Sequence, residues 1–308
     1  RPADVPAGGS NIRDNAREVN MQRAIYTALA FAVLIAAAVL AGCTGVPGPE
    51  ETEEFNRAVP AEPGSGLAVV NRNGGVNVSA WGEDYIAVTA VKRTVYGREE
   101  LAKVRIEVTE GDPLRIETVH TGMNVRASVD YTIRLPSGVV LQRVESSNGP
   151  IKLSGVRVAG TELATSNGPV VVDGAPGSDL AAASSNGGID LSGVEGYVTA
   201  TTSNGGITVE DCGGIAGLKT SNGPISTEIS AVRGDVTISS SNGGIALRLA
   251  EDLNARVVAT TSNGRVTVGD LPLRVSESTG TSVSGLLGVG GPTITVTTSN
   301  GGINLSGL

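Results

Sequence analysis

The chain has 308 residues; 43 are glycine, 40% are hydrophobic and only 3% are aromatic. So few large side chains exclude a wide globular core, and they favour a narrow one filled by Val, Ile, Leu and Ala, as in a solenoid. The formal net charge of −8 disfavours nucleic acid and anionic membrane surfaces as partners, so we expect no nucleic-acid binding.

The N-terminal residues contain a targeting signal. Residues 1–20 are polar and without periodicity, which predicts a disordered extension or an artefact of an upstream start site. From Met21, a basic Arg23 and an apolar run ending at Ala41 are typical of a secretory signal peptide over residues 21–42. An uncleaved signal anchor is the alternative, because about 18 apolar residues could span a bilayer.

The end of this segment, Leu-Ala-Gly-Cys at residues 40–43, resembles the lipobox of bacterial and archaeal lipoproteins. The resemblance implies cleavage before Cys43 and a diacylglycerol group on its thiol. A lipid anchor of this kind holds a protein at a membrane through buried CH₂ groups. The predicted location is therefore the extracellular face of the cell envelope, with the membrane as a partner through Cys43.

Two segments lie between the signal and the regular part of the chain. Residues 43–66 are rich in Pro, Gly and Glu, which predicts a flexible tether. Residues 67–140 alternate apolar and polar side chains, which predicts strands, and a short helix is expected near Glu99. We interpret this region as an irregular β cap of a solenoid, since terminal repeats must differ to cover the stack. Trp81 is expected in that cap or in the core.

A phrase of Ser-Asn-Gly, a small residue and Ile or Val recurs through residues 141–308, from Ser146–Ile151 to Thr298–Ile303. Its period is close to 19 residues, which indicates a repeat architecture. The last interval, of 37 residues, is nearly two periods, and Ser278–Gly280 inside it resembles a degraded copy. The recurring asparagines are Asn148, Asn167, Asn186, Asn204, Asn222, Asn242, Asn263 and Asn300.

Apolar residues alternate on both sides of each phrase, so a strand enters and another leaves the turn. Asn-Gly forms the corner because both residues tolerate positive φ. The sequence predicts an all-β, right-handed parallel β-helix with coils of about 19 residues, in which equivalent asparagines stack and bond along the axis. An antiparallel meander is the alternative, because Asn-Gly is also a hairpin signal.

Residues suited to catalysis or metal binding are few. His120 is the single histidine and is expected to be structural, and Cys212 takes a core position in its repeat. Asp173, Glu210 and Asp270 are predicted near turns, where a solvated carboxylate is the default. We therefore expect no catalytic residue, cofactor or metal site. A polysaccharide lyase or hydrolase on the same scaffold is the alternative.

The phrases NGGVNVSAW at residues 73–81, DYTIRLP at 130–136 and the repeated SNG[GP]I resemble an adhesin-like β-strand-repeat family of bacterial and archaeal surface lipoproteins. The resemblance implies a β-helix-like fold on the cell surface and no known active site. We therefore predict a lipid-anchored binding or structural module of the envelope. Its expected partners are a glycan or an envelope protein, and self-association through a terminal sheet edge is also predicted.

Overall fold

The structure is a computed structural model that describes residues 48–308. This part of the chain consists of β-strands and one short helix, α1 (Arg98–Ala102). The strands are β1 (Glu51–Pro60), β2 (Gly66–Val70), β3 (Val76–Trp81), β4 (Tyr85–Thr94), β5 (Val104–Thr109), β6 (Leu114–His120), β7 (Ser128–Pro136), β8 (Val140–Ser146), β9 (Ile151–Ser154), β10 (Val158–Thr165), β11 (Val170–Ala175), β12 (Leu180–Ser184), β13 (Ile189–Val194), β14 (Tyr197–Thr202), β15 (Ile207–Glu210), β16 (Gly214–Thr220), β17 (Ile225–Ile229), β18 (Val236–Ser240), β19 (Ile245–Leu249), β20 (Ala255–Asn263), β21 (Val266–Val268), β22 (Arg274–Ser278), β23 (Ser282–Leu287), β24 (Thr293–Asn300) and β25 (Ile303–Gly307).

These strands form two sheets. Sheet A has 12 strands in the order β1-β4-β7-β3-β9-β11-β13-β15-β17-β19-β25-β21. Sheet B has 13 strands in the order β22-β23-β20-β24-β18-β16-β14-β12-β10-β8-β2-β6-β5. In the repeat region the chain alternates between the sheets, except at β22 and β23, which form a hairpin within sheet B. A coil, as the word is used below, is one strand of sheet B, the Ser-Asn-Gly turn, and the following strand of sheet A.

Equivalent residues of successive coils lie side by side in parallel register. In sheet A, Val170 pairs with Ile189, and Ile189 pairs with Ile207. All three side chains are at most 2% exposed, because alternate residues of each strand point into the space between the sheets. The prediction of an all-β fold with parallel coils is confirmed, and the antiparallel meander is wrong for the repeats.

The predicted flexible tether over residues 43–66 is wrong where the structure describes it. Glu51–Pro60 forms β1, which pairs antiparallel with β4 along its whole length, from Glu51 against Thr94 to Pro60 against Tyr85. Its acidic residues face a basic strand, and Lys92 Nζ lies 2.7 Å from Glu53 Oε1. Val59 is buried in the core. Cross-strand charge pairs and one apolar anchor thus order a segment whose composition alone is typical of a linker.

The region before the regular coils mixes parallel and antiparallel pairing. β4 runs antiparallel to β7, and β5 antiparallel to β6, with α1 between β4 and β5. One coil here is regular: β3 lies parallel to β9, and its turn residue Asn73 bridges Asn148, 75 residues later. The repeat stack therefore begins within residues 67–140.

The C-terminal coils do not stack in sequence order. β24 lies between β18 and β20, and β25 lies between β19 and β21. The last coil is thus inserted between the coils of Asn242 and Asn263, which follow each other in sequence. The expected terminal edge at the last strand is wrong, because β25 is inside its sheet. Ser278–Gly280 is at the turn of the β22–β23 hairpin, where Gly280 O accepts a hydrogen bond from Val266 N.

Candidate functional site: the Ser–Asn ridge

Each coil turns from sheet B to sheet A at the same phrase, and that turn presents two polar side chains outward. The asparagines from Asn148 to Asn300 are exposed, and the serine before each is exposed or half-buried. We call these side chains the Ser–Asn ridge. Its serines are Ser147, Ser166, Ser185, Ser203, Ser221, Ser241, Ser262 and Ser299, and its asparagines are Asn73 and the eight that the sequence singled out.

The asparagine amides form one continuous chain of hydrogen bonds. Asn167 Nδ2 donates to Asn148 Oδ1 at 2.7 Å, and Asn186 Nδ2 donates to Asn167 Oδ1 at 2.7 Å. Bonds of 2.6–2.9 Å continue the chain in the spatial order Asn73, Asn148, Asn167, Asn186, Asn204, Asn222, Asn242, Asn300, Asn263. Every bond points the same way. Because an amide has two N–H groups and two carbonyl lone pairs, the members within the chain keep one acceptor site each and, except for Asn204, one N–H for a ligand. The second N–H of Asn204 donates to Ser185 O at 3.5 Å.

The glycine after each asparagine brings neighbouring turns into close approach. A Cβ added at Gly168 would lie closer than 3.0 Å to the carbonyl oxygen of Gly149, and the same holds for Gly187 against Gly168. The predicted reason for glycine, a positive φ, is wrong for the turns from Asn148 onward. In the described chain only the first ridge turn has a positive-φ residue, Gly74 at 110°. Glycine is required because no side chain fits between the coils.

Buried hydroxyl groups complete the turn from the inside. Thr202 Oγ1 donates to Gly187 O of the preceding coil at 2.8 Å, and Thr165 Oγ1 donates to Gly149 O at 3.0 Å. Equivalent bonds are made by Ser146, Ser184, Thr220, Ser240, Thr261 and Thr298. Each hydroxyl satisfies a carbonyl that the close glycine contact shields from water. The ridge is therefore a rigid surface, fixed by one hydroxyl bond and one amide bond in each coil.

Sequence reasoning missed two parts of this arrangement. The phrase Asn73-Gly74-Gly75-Val76 is recognisable in the sequence as an early copy of the repeat, but Asn73 was left out of the predicted row of stacked asparagines, and it is the first member of the amide chain. The residue two positions before each asparagine was used only to place a strand. Its restriction to Ser or Thr in all eight copies was the signal that a buried hydroxyl is needed there.

The candidate reactive residues are not part of the ridge. Cys212 is half-buried against the core, and burial raises the pKa of its thiol. His120 ends β6, and its buried Nε2 has no hydrogen-bond partner in the described structure. Burial and the nearby Arg72 lower its pKa, which favours a neutral imidazole. Cys43, the predicted lipid site, lies outside the described residues.

The carboxylates on the outer face of sheet A are not directly opposite one another in the register. Asp173 pairs with Ser192, and Ser192 pairs with Glu210, so a serine separates the two acidic side chains. Asp190 lies between Val171 and Thr208. Among residues 48–308 there is no cluster of three His, Cys, Asp or Glu side chains suited to a metal ion. No helix within that range is long and apolar enough to cross a membrane.

Trp81 lies at the end of β3, in the irregular region. Its Nε1 donates to Tyr85 O at 2.9 Å, and its ring meets that of Tyr85 edge to face at 4.7 Å. The Arg134 guanidinium lies 5.8 Å from the Trp81 ring centre. The half-buried Trp81 ring is therefore fixed by its contacts with Tyr85 and Arg134.

The two-sheet stack and its repeated turn match a known family. The model of the Toastrack DUF4097 family matches residues 67–306, which is most of the chain. The chain belongs to the Toastrack DUF4097 family. Membership confirms the resemblance, drawn from the sequence motifs, to an adhesin-like family of unknown function. The match begins at β2 and includes every coil of the Toastrack DUF4097 domain.

Several solved structures resemble this Toastrack DUF4097 domain at low sequence identity. A proposed adhesin from Bacteroides fragilis is 11% identical, with 85% of this chain and 99% of that chain covered and a TM-score of 0.47. A proposed lipid-binding protein from Parabacteroides distasonis is 13% identical, with 82% and 96% covered and a TM-score of 0.37. A proposed adhesin from Parabacteroides merdae is 10% identical, with 83% and 96% covered and a TM-score of 0.34. No curated protein matches the chain.

Proposed function

We propose that this protein is an adhesin-like glycan-binding module of the cell envelope, anchored by lipid on Cys43, with the Ser–Asn ridge as its binding surface. The supporting observation is the continuous, one-directional chain of asparagine amides beside a row of serine hydroxyls. In this proposal residues 67–140 act as the cap of a right-handed solenoid. In the same proposal, a signal peptide over residues 21–42 directs the module to the extracellular face of the membrane.

The chemistry of the ridge suits a neutral polymer rich in hydroxyl groups. A carboxamide and a hydroxyl recur at each coil, and both can donate and accept hydrogen bonds. Adjacent strands are about 4.8 Å apart, so the groups repeat at that interval along the axis. A sugar hydroxyl also donates and accepts, and a polymer can therefore form several similar bonds in a row.

The rigidity of the Ser–Asn ridge also supports glycan binding. The amides are already held by their neighbours at 2.6–2.9 Å, so few side-chain rotamers are lost when a ligand binds. Each direct hydrogen bond to an exposed surface adds only about 0.5–1.5 kcal/mol. Useful affinity must therefore come from many coils acting together, which predicts that long glycans bind and single sugars do not.

Co-sedimentation with insoluble polysaccharides tests the ridge. The full chain, kept in detergent micelles, is expected to sediment with at least one neutral cell-wall polymer. Replacing Ser185, Ser203 and Ser241 by Ala removes three outward hydroxyls and leaves the amide chain intact, so it is expected to weaken binding. The matched control replaces the outward Thr199, Thr201 and Thr237 of sheet B by Ala. Loss of binding in the control alone, or no binding to any polymer, would contradict the proposal.

The lipid anchor has its own test. Expression of the full chain in a bacterium fed a labelled fatty acid is expected to label the wild type and the Cys212→Ser variant. The Cys43→Ser variant is expected to stay unlabelled and to leave the membrane fraction. A labelled Cys43→Ser variant would exclude this cysteine as the anchor.

We also propose that the module has no enzymatic activity, since the outward carboxylates of sheet A are separated in register by Ser192. The alternative is a polysaccharide lyase or hydrolase on the same scaffold. Incubation with acidic and neutral polysaccharides distinguishes the two, because an enzyme would release reducing ends or unsaturated sugars. Release that is lost in Asp173→Asn or Asp190→Asn would favour the enzyme.

A further inference from the structure

A groove lies on the outer face of sheet A, beside the C-terminal part of the Ser–Asn ridge. It crosses four adjacent strands, β17, β19, β25 and β21, and has a volume of about 550 Å³. Gly244, Ala246 and Gly302 line its middle, and Pro224 and Arg265 line its two sides. The groove is the second notable surface of this region, and the ridge proposal does not explain it.

The groove exists because of the inserted last coil. Pro224, Gly244, Gly302 and Arg265 each stand two positions after the asparagine of their own turns. In sequence, the Arg265 turn follows the Gly244 turn directly. In space, β25 lies between β19 and β21, so Gly302 separates Gly244 from Arg265. Two neighbouring glycines between two larger residues make a depression about two strands, or roughly 10 Å, wide.

The polar groups of the groove are few and one of them is a cation. Arg265 is exposed and is the single charged residue among the eight equivalent turn positions, which otherwise hold Pro or Gly. None of the ion pairs found within residues 48–308 includes it. A guanidinium without a partner is suited to bind a carboxylate in a bidentate manner.

Two further side chains in the groove are oriented for a ligand with hydroxyl groups. Thr267 Oγ1 donates to Asn304 Oδ1 at 3.1 Å, which leaves the Nδ2 group of Asn304 as a donor. Ser226 adds a hydroxyl on the opposite side. The groove therefore offers one cation, three neutral polar side chains (Ser226, Thr267 and Asn304) and a smooth floor of Gly and Ala, on which the C–H surface of a sugar ring fits.

An acidic peptide fits this surface less well. Strands β17, β19 and β25 under the groove are paired on both sides, so an extended peptide would find no free edge along the floor. Strand β21 is the outer strand of sheet A, but it is only three residues long, and its Val266 N already donates to Gly280 O. A sugar carries its carboxylate and its hydroxyl groups on one compact ring. Such a ring matches the spacing of side-chain groups on a sheet face and needs no backbone partner.

We propose that the groove binds a carboxylated sugar, a uronic-acid unit of a glycan, with Arg265 holding the carboxylate, Asn304 on the adjacent strand holding a hydroxyl of the same ring, and Ser226 holding a hydroxyl of the next sugar unit. The proposal deepens the glycan-binding function, on which it rests, by adding a preference for an acidic unit at one end of the ridge. The net charge of −8 disfavours dense polyanions, so recognition of a single carboxylate is the expected mode.

Isothermal titration of the full chain in detergent with a neutral oligosaccharide that carries one galacturonate unit, and with its carboxyl-reduced counterpart, tests the proposal. The wild type is expected to bind the acidic oligosaccharide about tenfold more tightly, because hydrogen bonds to charged groups are the stronger class. Arg265→Gln is expected to abolish the preference and Arg265→Lys to retain part of it. Ala246→Leu, which fills the floor of the groove without changing its charge, is expected to weaken the binding of both ligands.

The matched control is Arg256→Gln, which removes another exposed arginine, on β20 of sheet B, and is expected to leave the preference unchanged. Equal binding of the acidic and neutral oligosaccharides by the wild type would overturn this inference and leave glycan binding intact. Binding of neither would overturn the proposed function as well. A peptide with a single glutamate that competes as strongly as the galacturonate-bearing oligosaccharide would replace the sugar by an acidic protein partner.

Discussion

Gly187 lies against Gly168 of the neighbouring coil so closely that a Cβ at Gly187 would come nearer than 3.0 Å to the Gly168 carbonyl oxygen. The same oxygen accepts a hydrogen bond from the Ser184 hydroxyl at 2.9 Å. One backbone carbonyl thus meets a glycine on one side and a buried hydroxyl on the other. This relationship, repeated in every coil, sets the spacing of the ridge.

Gly187→Ala is therefore expected to destabilise the protein by at least about 1–3 kcal/mol, because the new methyl group meets backbone atoms that cannot move without shifting a coil. The matched control is Gly234→Ala, where a Cβ meets no atom within 4 Å and φ is not positive. The control is expected to be neutral or slightly stabilising. Denaturant unfolding measures both, and equal free energies of unfolding would contradict the close-contact explanation.

Asn204→Ala is expected to cost about 1–3 kcal/mol, since Asn204 donates to Asn186 and accepts from Asn222, and each bond is worth about 0.5–1.5 kcal/mol. Asn263 stands at the end of the chain of amides and makes one such bond, to Asn300. Asn263→Ala should therefore cost about half as much. Urea unfolding of both variants gives the comparison, and equal losses would mean that the amide chain does not stabilise the fold.

Asn204→Asp adds a test of direction. A carboxylate accepts hydrogen bonds but cannot donate one to Asn186, whereas a protonated carboxyl group can. The variant is expected to be less stable than the wild type at pH 7 and to recover part of the difference below about pH 4, where the carboxyl group becomes protonated. A difference that does not change with pH would argue against a one-directional chain.

Thr202→Val removes a buried hydroxyl that donates to Gly187 O at 2.8 Å and leaves that carbonyl without its side-chain partner. The expected loss is about 1–2 kcal/mol of the free energy of unfolding. Thr199→Val, on the same strand but facing outward, is the matched control and should be close to neutral, since valine suits a strand at least as well as threonine. Thermal unfolding of the two variants measures both losses, and equal losses would contradict a stabilising role for the Thr202 hydroxyl.

The raised pKa of Tyr131 predicts that the protein loses stability at high pH. Its hydroxyl is buried beside Thr118 Oγ1 at 2.8 Å, and burial raises its pKa to about 12 from the usual 10.0. A pKa raised by folding gives stability that is complete below pH 10 and is lost as pH rises toward 12. The free energy of unfolding falls by up to about 3 kcal/mol, at about 1.36 kcal/mol for each pH unit between the two pKa values. Tyr131→Phe should flatten this dependence, and Tyr197→Phe, at a half-buried site, should not.

The periodic parts of the fold could be predicted from the sequence. Ile189 and Ile207 repeat at the same place in each phrase, so the core rows and the parallel stacking follow from alternation and period. The close approach at the glycines could not be predicted, because a turn with positive φ and a turn against a neighbouring backbone both select glycine. Only the coordinates distinguish the two causes.

The spatial order of the coils could not be predicted either. Asn242, Asn263 and Asn300 stand in nearly identical phrases, so any of their coils could stack on any other. Strand β1 was missed for a different reason. Its glutamates indicate a solvated linker when considered alone, and Lys92, the partner of Glu53, lies far along the chain, as does Arg93, the partner of the preceding Glu50.

The inserted last coil has a consequence for synthesis on the ribosome. At the stage when the Asn263 coil has emerged and β24 has not, the Asn242 coil still has an exposed surface. That surface carries the same hydroxyl and amide groups that bind the last coil in the native structure, so the Asn263 coil can pair with it. A nascent chain can dock these two coils directly. Any chain in which they dock before β24 is made must separate them again to admit the C-terminal segment, a step that end-to-end winding would not need.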